Sequence, residues 1–355
     1  QLLQDQIAAG STTALKGQRA LLTRIEKRFA AEGPQTWQVP ANAHALVTFV
    51  LSGGNPAPLR DVLGRTPIPP IDEKLMRGVL AYVDGRESEA ADFLAHVDPL
   101  KVPPSMGAQV ALAKAALSVR DNTSRAIGLL DTARLLAPGT LAEEAALRRE
   151  IFVVSQIGDV QKFEVLATQY LMRFRHSVYA GNFRQRFAAA LTRMDFIDDP
   201  AQFLRLDSMI SDLDLESRRE IYLLVARAAV NRGLTNASTL AAERALELAE
   251  DGSVEAARAR LYRAAALVVT PQGLASGMED LAAINPAILP PDDAALHQAA
   301  SSTARLILTA PDLPDIDAPV RAARPLPSDE PLSEVAVRAR DALAAVDELM
   351  NRSSR

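Results

Sequence analysis

The stretch Thr123-Ser-Arg-Ala126-Ile-Gly-Leu-Leu130-Asp-Thr-Ala133-Arg-Leu-Leu136-Ala137-Pro138-Gly139-Thr140 decides the fold. Ala126, Leu129, Leu130, Ala133, Leu136 and Ala137 recur at helical spacing and form one apolar face. Pro138-Gly139-Thr140 then ends the run: proline cannot continue a helix, and glycine takes the left-handed turn that closes one. A second face of the same kind is made by Ile221, Leu224, Val225 and Ala228. Between such runs stand Gly53-Gly54-Asn55-Pro56, Pro69-Pro70, Asp84-Gly85, Pro103-Pro104, Gly158-Asp159, Gly252-Ser253 and Pro290-Pro291, all readable as turns or helix caps.

The breaks are periodic. Hinges between paired helices are expected near Gly85, Asp121, Gly158, Asp198 and Gly233, at spacings of 36, 37, 40 and 35 residues. That is close to the roughly 34-residue period of a tetratricopeptide repeat. Gly78, Gly85, Ala90 and Leu94 fall where that repeat places its small and large packing residues, and Ala126, Leu130, Ala133 and Pro138 follow its second-helix pattern. Small residues let two helices approach, the large one fills the gap, and proline stops the helix. The fold class expected is all-α, an irregular α-solenoid of stacked helical hairpins in a tetratricopeptide-like superhelix. It occupies residues 1–310. The segment from Pro311 to Pro331 holds six prolines and few large apolar residues, so it reads as a linker. One further helix and a frayed tail are expected over 332–355.

Composition agrees with helices. Of 355 residues 48% are hydrophobic and only 5% aromatic, and the apolar share is mainly alanine and leucine, which cost little side-chain entropy in a helix. Thirty-nine basic and 44 acidic residues are interspersed, for a net charge of −5, which argues against a nucleic-acid binder. No apolar run approaches the roughly 18 to 20 residues that a membrane-spanning helix needs. With no cysteine, disulfides, thiolate metal sites and cysteine nucleophiles are excluded. The chain opens inside an apparent helix without a leader, so a mature form with its targeting segment removed is expected.

Catalytic motifs are wanting. His44, His96, His176 and His297 are scattered and form no metal-ligand spacing, so no metal or other cofactor is expected. Asp198-Asp199 and Asp292-Asp293 each adjoin a proline at a helix start, where carboxylates cap free N–H groups. Soluble lytic transglycosylases also carry a helical superhelix, but Glu87-Ser88 and Glu216-Ser217 lack the Gly-Leu-Met-Gln continuation of their catalytic motif. The one tryptophan, Trp37, is thin provision for a sugar groove.

One stretch is unusual in charge. Between Glu164 and Asp195 there is no acidic residue, while Arg173, Arg175, Arg184, Arg186 and Arg193 are interleaved with Phe174, Tyr179, Phe183 and Phe187. Arginine and aromatic residues together anchor protein interfaces. Arg173, Arg175, Arg184, Arg186, Phe174 and Tyr179 are therefore the candidate partner-binding residues. The competing reading puts the rings in the core and the arginines against the acidic stretch that follows, from Asp195 to Glu220.

Four blocks carry a closer likeness: Leu51-Ser-Gly-Gly-Asn-Pro-Ala-Pro-Leu-Arg-Asp-Val-Leu63, Gly78-Val-Leu-Ala-Tyr-Val-Asp-Gly-Arg86, Ala133-Arg-Leu-Leu-Ala-Pro-Gly-Thr-Leu-Ala-Glu-Glu-Ala-Ala-Leu-Arg-Arg149 and Gln169-Tyr-Leu-Met-Arg-Phe-Arg-His-Ser-Val-Tyr-Ala180. Together they resemble the MotC family of periplasmic motility proteins, from the N-terminus to about residue 310. The resemblance implies a secreted, non-catalytic protein of the flagellar motor that associates with the periplasmic part of the stator protein MotB. The residue pattern alone leaves open a different cell-envelope adaptor of tetratricopeptide type.

Overall fold

A computed structural model of the chain describes residues 2–64 and 73–309. The proline-rich stretch and final helix expected beyond residue 310, and the turn at Pro69-Pro70, lie outside the described residues. Every regular element among the described residues is helical. The chain opens with α1 (Leu2–Ala8), α2 (Thr12–Ala31) and the one-turn α3 (Pro34–Trp37). Helices then follow in pairs: α4 (Pro40–Leu51) with α5 (Ala57–Leu63), α6 (Glu73–Val83) with α7 (Glu87–Ala95), and α8 (Pro104–Ser118) with α9 (Thr123–Leu136). Next come α10 (Leu141–Gln156) with α11 (Val160–Phe174) and α12 (Ala180–Leu191) with α13 (Leu204–Ile210). The last pairs are α14 (Leu215–Val230) with α15 (Thr235–Glu247) and α16 (Val254–Leu267) with α17 (Leu274–Ala283), before the single α18 (Pro291–Thr309). From α6 onward the first helices begin at residues 73, 104, 141, 180, 215, 254 and 291, that is every 31 to 39 residues.

Local signals explain the boundaries. Side chains of Asn122, Thr140, Asp159, Asp214 and Ser253 each accept a backbone N–H from the first turn of the helix they precede, which satisfies donors that a helix start leaves free. Gly85, Gly158 and Gly233 turn the chain at φ of +77°, +71° and +71°, the left-handed conformation that side chains disfavour. Three of the expected hinges thus rest on glycine, and Asp121 also falls inside its hairpin turn.

The hinge expected at Asp198 is different. Between α12 and α13 the chain takes a 3-10 turn, Asp195–Asp198, and then reaches Leu204 without further helix. Phe196, Ile197 and Phe203 are buried in this connection, so it is packed as core and not presented as a loop. The Asp198 carboxylate accepts the Ala237 N–H at 2.8 Å and so caps α15 in the following hairpin, not the helix next to it in sequence. Asp293 also departs from the capping expectation. It is fully buried in the first turn of α18 and accepts from Tyr262 Oη and Arg258 Nε, both at 2.8 Å, from α16.

Successive first helices pack on one another: α10 on α8, α12 on α10, α14 on α12, and α16 on α14. The apolar stripe read in α9 is buried at Ala126, Leu130 and Ala133. In α14 burial extends right round to Tyr222, Leu223 and Ala226, because that helix lies between two neighbours and its own partner α15. Close approach depends on small residues. A Cβ on Gly78 would stand 2.7 Å from Leu94 Cγ across the α6–α7 hairpin, whereas one on Gly128, in the middle of α9, meets nothing within 4 Å. Gly78→Ala is therefore expected to destabilise the fold by about 1–3 kcal/mol through overpacking, and Gly128→Ala to stabilise it by about 0.5–1 kcal/mol through helix propensity. Chemical denaturation of the two variants measures both, and equal shifts of one sign would contradict the packing described.

Candidate functional site

The arginine- and aromatic-rich stretch spans the end of α11, a turn and α12. Its rings are mainly interior. Phe174 is 2% exposed and packs beside Tyr170 with ring centroids 5.8 Å apart, so it offers no surface to a partner. Phe183 stacks on Tyr170 at 3.7 Å and on Phe187 at 5.7 Å in the same core. Tyr179 alone of the predicted aromatics reaches the surface, half-buried, with the Arg148 guanidinium 4.7 Å over its ring.

The four candidate arginines divide into two kinds. Arg173 Nη1 donates to Glu143 Oε1 at 2.7 Å, and Arg184 Nε lies 3.0 Å from Glu220 Oε2 on α14. Both arginines thereby tie parts of the chain together, and the Glu220 contact realises the pairing with the acidic stretch that the sequence left open. Arg175 instead places Nε 3.1 Å from His176 Nε2, and Arg186 extends over the Phe152 ring at 5.8 Å. These two make no ion pair among the described residues.

Beneath them α10 carries three buried carboxylates. Glu143 accepts from the Gly139 N–H at 2.5 Å and Gln169 Nε2 at 3.0 Å besides Arg173. Glu150, fully buried, stands 3.1 Å from Arg134 and 2.9 Å from Lys162, joining α9, α10 and α11. Glu144, also fully buried, accepts from Tyr170 Oη at 2.8 Å. Burial pushes the Glu144 and Glu150 carboxyls above the usual carboxylate range, since a charge away from water is costly and their hydrogen bonds offset this only in part. The same motif recurs further along, where Tyr222 donates to Asp207 at 2.6 Å and burial raises its hydroxyl to about 12.

The histidines stay apart. His297 Nε2 lies 2.9 Å from the Leu281 carbonyl, and His176 lies beside Arg175. Among the described residues no three metal-capable side chains come together, and no helix is long and apolar enough to cross a membrane.

Sequence reasoning missed the N-terminal helices as part of any site. The Ile7 carbonyl accepts the Val178 N–H at 3.2 Å, and Ile7 is fully buried. A Cβ on Gly10 would sit 2.6 Å from the His176 carbonyl oxygen, so the α1–α2 turn lies against the backbone that leads into α12. Leu22, Ile25 and Phe29 of α2 pack on the core of the early hairpins, with Phe29 edge-on to both Trp37 and Phe49. Between α1–α2 and helices α4, α6, α8 and α10 a groove remains, and Tyr179, Arg148 and Arg149 line it. The adjacent pair Arg148-Arg149 was visible in the sequence, but nothing local shows that α10 turns it toward α2.

Two outcomes test this electrostatic account. Folded-state protonation of Glu144 is easier than in the unfolded chain, so the folded state binds more protons in the interval between the two pKa values, and stability falls as pH rises through it. Glu144→Gln keeps an acceptor for Tyr170 and removes the charge. Its melting temperature should exceed wild type at pH 7, and the difference should shrink below about pH 4.3, where free glutamate is protonated. A constant or reversed difference would remove the raised carboxyl. Arg173→Ala, which leaves Glu143 without its cation, is expected to cost about 1–3 kcal/mol, against less than about 0.5 kcal/mol for Arg186→Ala, by denaturant titration.

The family described as "Chemotaxis protein MotC" matches residues 1–355. The Chemotaxis protein MotC of Rhizobium meliloti (strain 1021) is 31% identical over 318 residues, which covers 88% of this chain and 71% of that protein. No solved structure matches. Since the family pattern covers the whole chain and the relative aligns along most of both proteins, the chain belongs to the MotC family of chemotaxis proteins.

Proposed function

We propose that this protein is a non-catalytic periplasmic component of the flagellar motor that binds the periplasmic part of the stator protein MotB and stabilises it there. The observation that carries this reading is the family match over the full chain. The periplasmic placement and the stator partner rest on the family resemblance read in the sequence. A binding role is supported by the construction of the chain. Stacked hairpins present a continuous surface on which side chains from several helices meet. Glu144 and Glu150, the carboxyls that burial makes fit for acid–base work, are occupied by Tyr170 and by Arg134 and Lys162 inside the stack.

Pull-down of the purified protein with the periplasmic portion of MotB, followed by size exclusion, tests the proposal. A stable complex supports it. A well-folded protein that forms none at micromolar concentration removes the stator as partner and leaves another assembly of the cell envelope. The arginine patch is tested within the same assay by Arg175→Glu with Arg186→Glu, because Arg173 and Arg184 also hold internal carboxylates. The double variant should keep its melting temperature and lose affinity severalfold. Unchanged affinity would take this patch out of the interface.

A further inference from the structure

The groove beside α2 has two parts, which meet at Gln4, Gln18, Leu22 and Ser52. One part, about 650 Å3, is apolar, with Leu21, Ile25 and Phe29 of α2 facing Ala45 and Phe49 of α4. The other, about 400 Å3, runs between α2 and α8–α10 and is basic: Arg19, Arg148 and Arg149 wall it, and no acidic side chain does. None of the three arginines makes an ion pair with another described residue. Arg148 Nε is out of water and has no hydrogen-bond partner. Glu144, one turn earlier on α10, attracts it through space but makes no ion pair with it and buries its carboxyl against Tyr170. Arg149 reaches only the Leu112 carbonyl, at 3.4 Å. The positive sign continues along α2, where Lys16, Arg24, Lys27 and Arg28 are exposed. Against these stands one acid, Glu26, which accepts from Asn55 at 2.6 Å. In a chain of net charge −5 this concentration of unpaired cations beside an apolar trough is a local inversion of the surface.

We infer that the groove binds an acidic amphipathic segment of a partner protein. Apolar side chains of that segment occupy the apolar part, and its carboxylates meet Arg19, Arg148 and Arg149, where Arg148 is already held in place by the Tyr179 ring. Side-chain amides of Gln4, Gln18 and Gln109 supply donors and acceptors for polar groups of the segment. A walled groove fits a polypeptide better than a membrane surface, which cannot enter between two helix layers. The α2 wall keeps side chains available to a guest, because only Ala14 of its twenty residues is buried. The inference rests on the protein-binding reading above, but not on the stator being the partner.

The probe is a fluorescein-labelled synthetic helix with leucine on one face and glutamate elsewhere, titrated with the full chain by anisotropy. A version with lysine for glutamate and vesicles of phosphatidylglycerol are run beside it. The glutamate helix is expected to bind, more weakly as salt is added. Arg19→Glu with Arg149→Glu, both at exposed positions, should weaken it about tenfold or more with an unchanged circular dichroism spectrum. Gln18→Trp, which fills the junction without altering charge, should weaken it as well. Absence of binding by wild type, equal binding of the lysine helix, or indifference to both variants overturns the proposal. Vesicle binding that is lost in the double variant while the helix fails to bind assigns the cations to a membrane, and concentration-dependent self-association lost in the same variant assigns the groove to a second copy. Either result overturns it. A stator complex unaffected by the groove variants, beside a glutamate helix that they weaken, separates this site from the stator reading.

Discussion

Two helices can lie side by side only as closely as the residues between them allow. In this chain the contacts inside the hairpins are made largely by alanine and glycine: Gly78 against Leu94, Ala126 and Ala133 in α9, and Ala237, Ala241 and Ala245 along α15. Close approach removes apolar surface from water and gains dispersion contacts, although each alanine by itself buries little area. It also means that no hairpin stands alone, because a narrow alanine stripe needs a second and third helix before it forms a core. The remaining features follow from that dependence on neighbours. Larger side chains gather where hairpins meet, as in the Phe163, Tyr170, Phe183 and Phe187 group at the α11–α12 junction.

The same close packing brings polar groups inside, and the buried tyrosine hydroxyls are matched there. Tyr170 with Glu144, Tyr222 with Asp207, and Tyr262 with Asp293 form a series in which a buried hydroxyl donates to a carboxylate on another helix. Arginine or lysine joins each neighbourhood: Arg173 and Lys162 on α11, Arg244 on α15, Arg258 on α16. Burying such groups is costly unless geometry is satisfied, so these pairs select one register of hairpin on hairpin more than they add stability. Arg173 and Arg184 are thereby committed to carboxylates of their own chain. Of the arginines left over, Arg19, Arg148 and Arg149 lie where α2 comes close without closing on the inner helices.

The N-terminal pair α1–α2 follows neither rule. It is held at its turn by Ile7 and Gly10 against Val178 and His176, and at its far end by Phe29 between Trp37 and Phe49. Between these anchors the helix is largely exposed. A long element anchored at its ends and packed along only one side leaves a groove beside it, and its basic face gives the groove its sign.

Helix content, the hairpin period and the hinges at Gly85, Asp121, Gly158 and Gly233 were legible in the sequence, because caps, left-handed glycines and the 3.6-residue stripe are local signals. The likeness to the MotC family was legible as well, in loop blocks as much as in helix faces. The irregular join at Asp198 was not, since Phe196, Ile197 and Phe203 are buried there and the 3-10 turn packs on α15, a helix distant in sequence. The candidate surface was legible only in part. An unbroken run of arginines and rings marks a special stretch, but whether a given arginine meets a glutamate from a distant helix is a matter of tertiary proximity. Sequence placed Arg173, Phe174 and Arg184 beside Tyr179 on equal terms. Tertiary structure alone turned Phe174 inward, paired Arg173 with Glu143 and Arg184 with Glu220, and left Tyr179 and Arg148 facing α2. Local chemistry sets where a helix begins and ends; which of its charges stay unpaired is decided by what packs across from it.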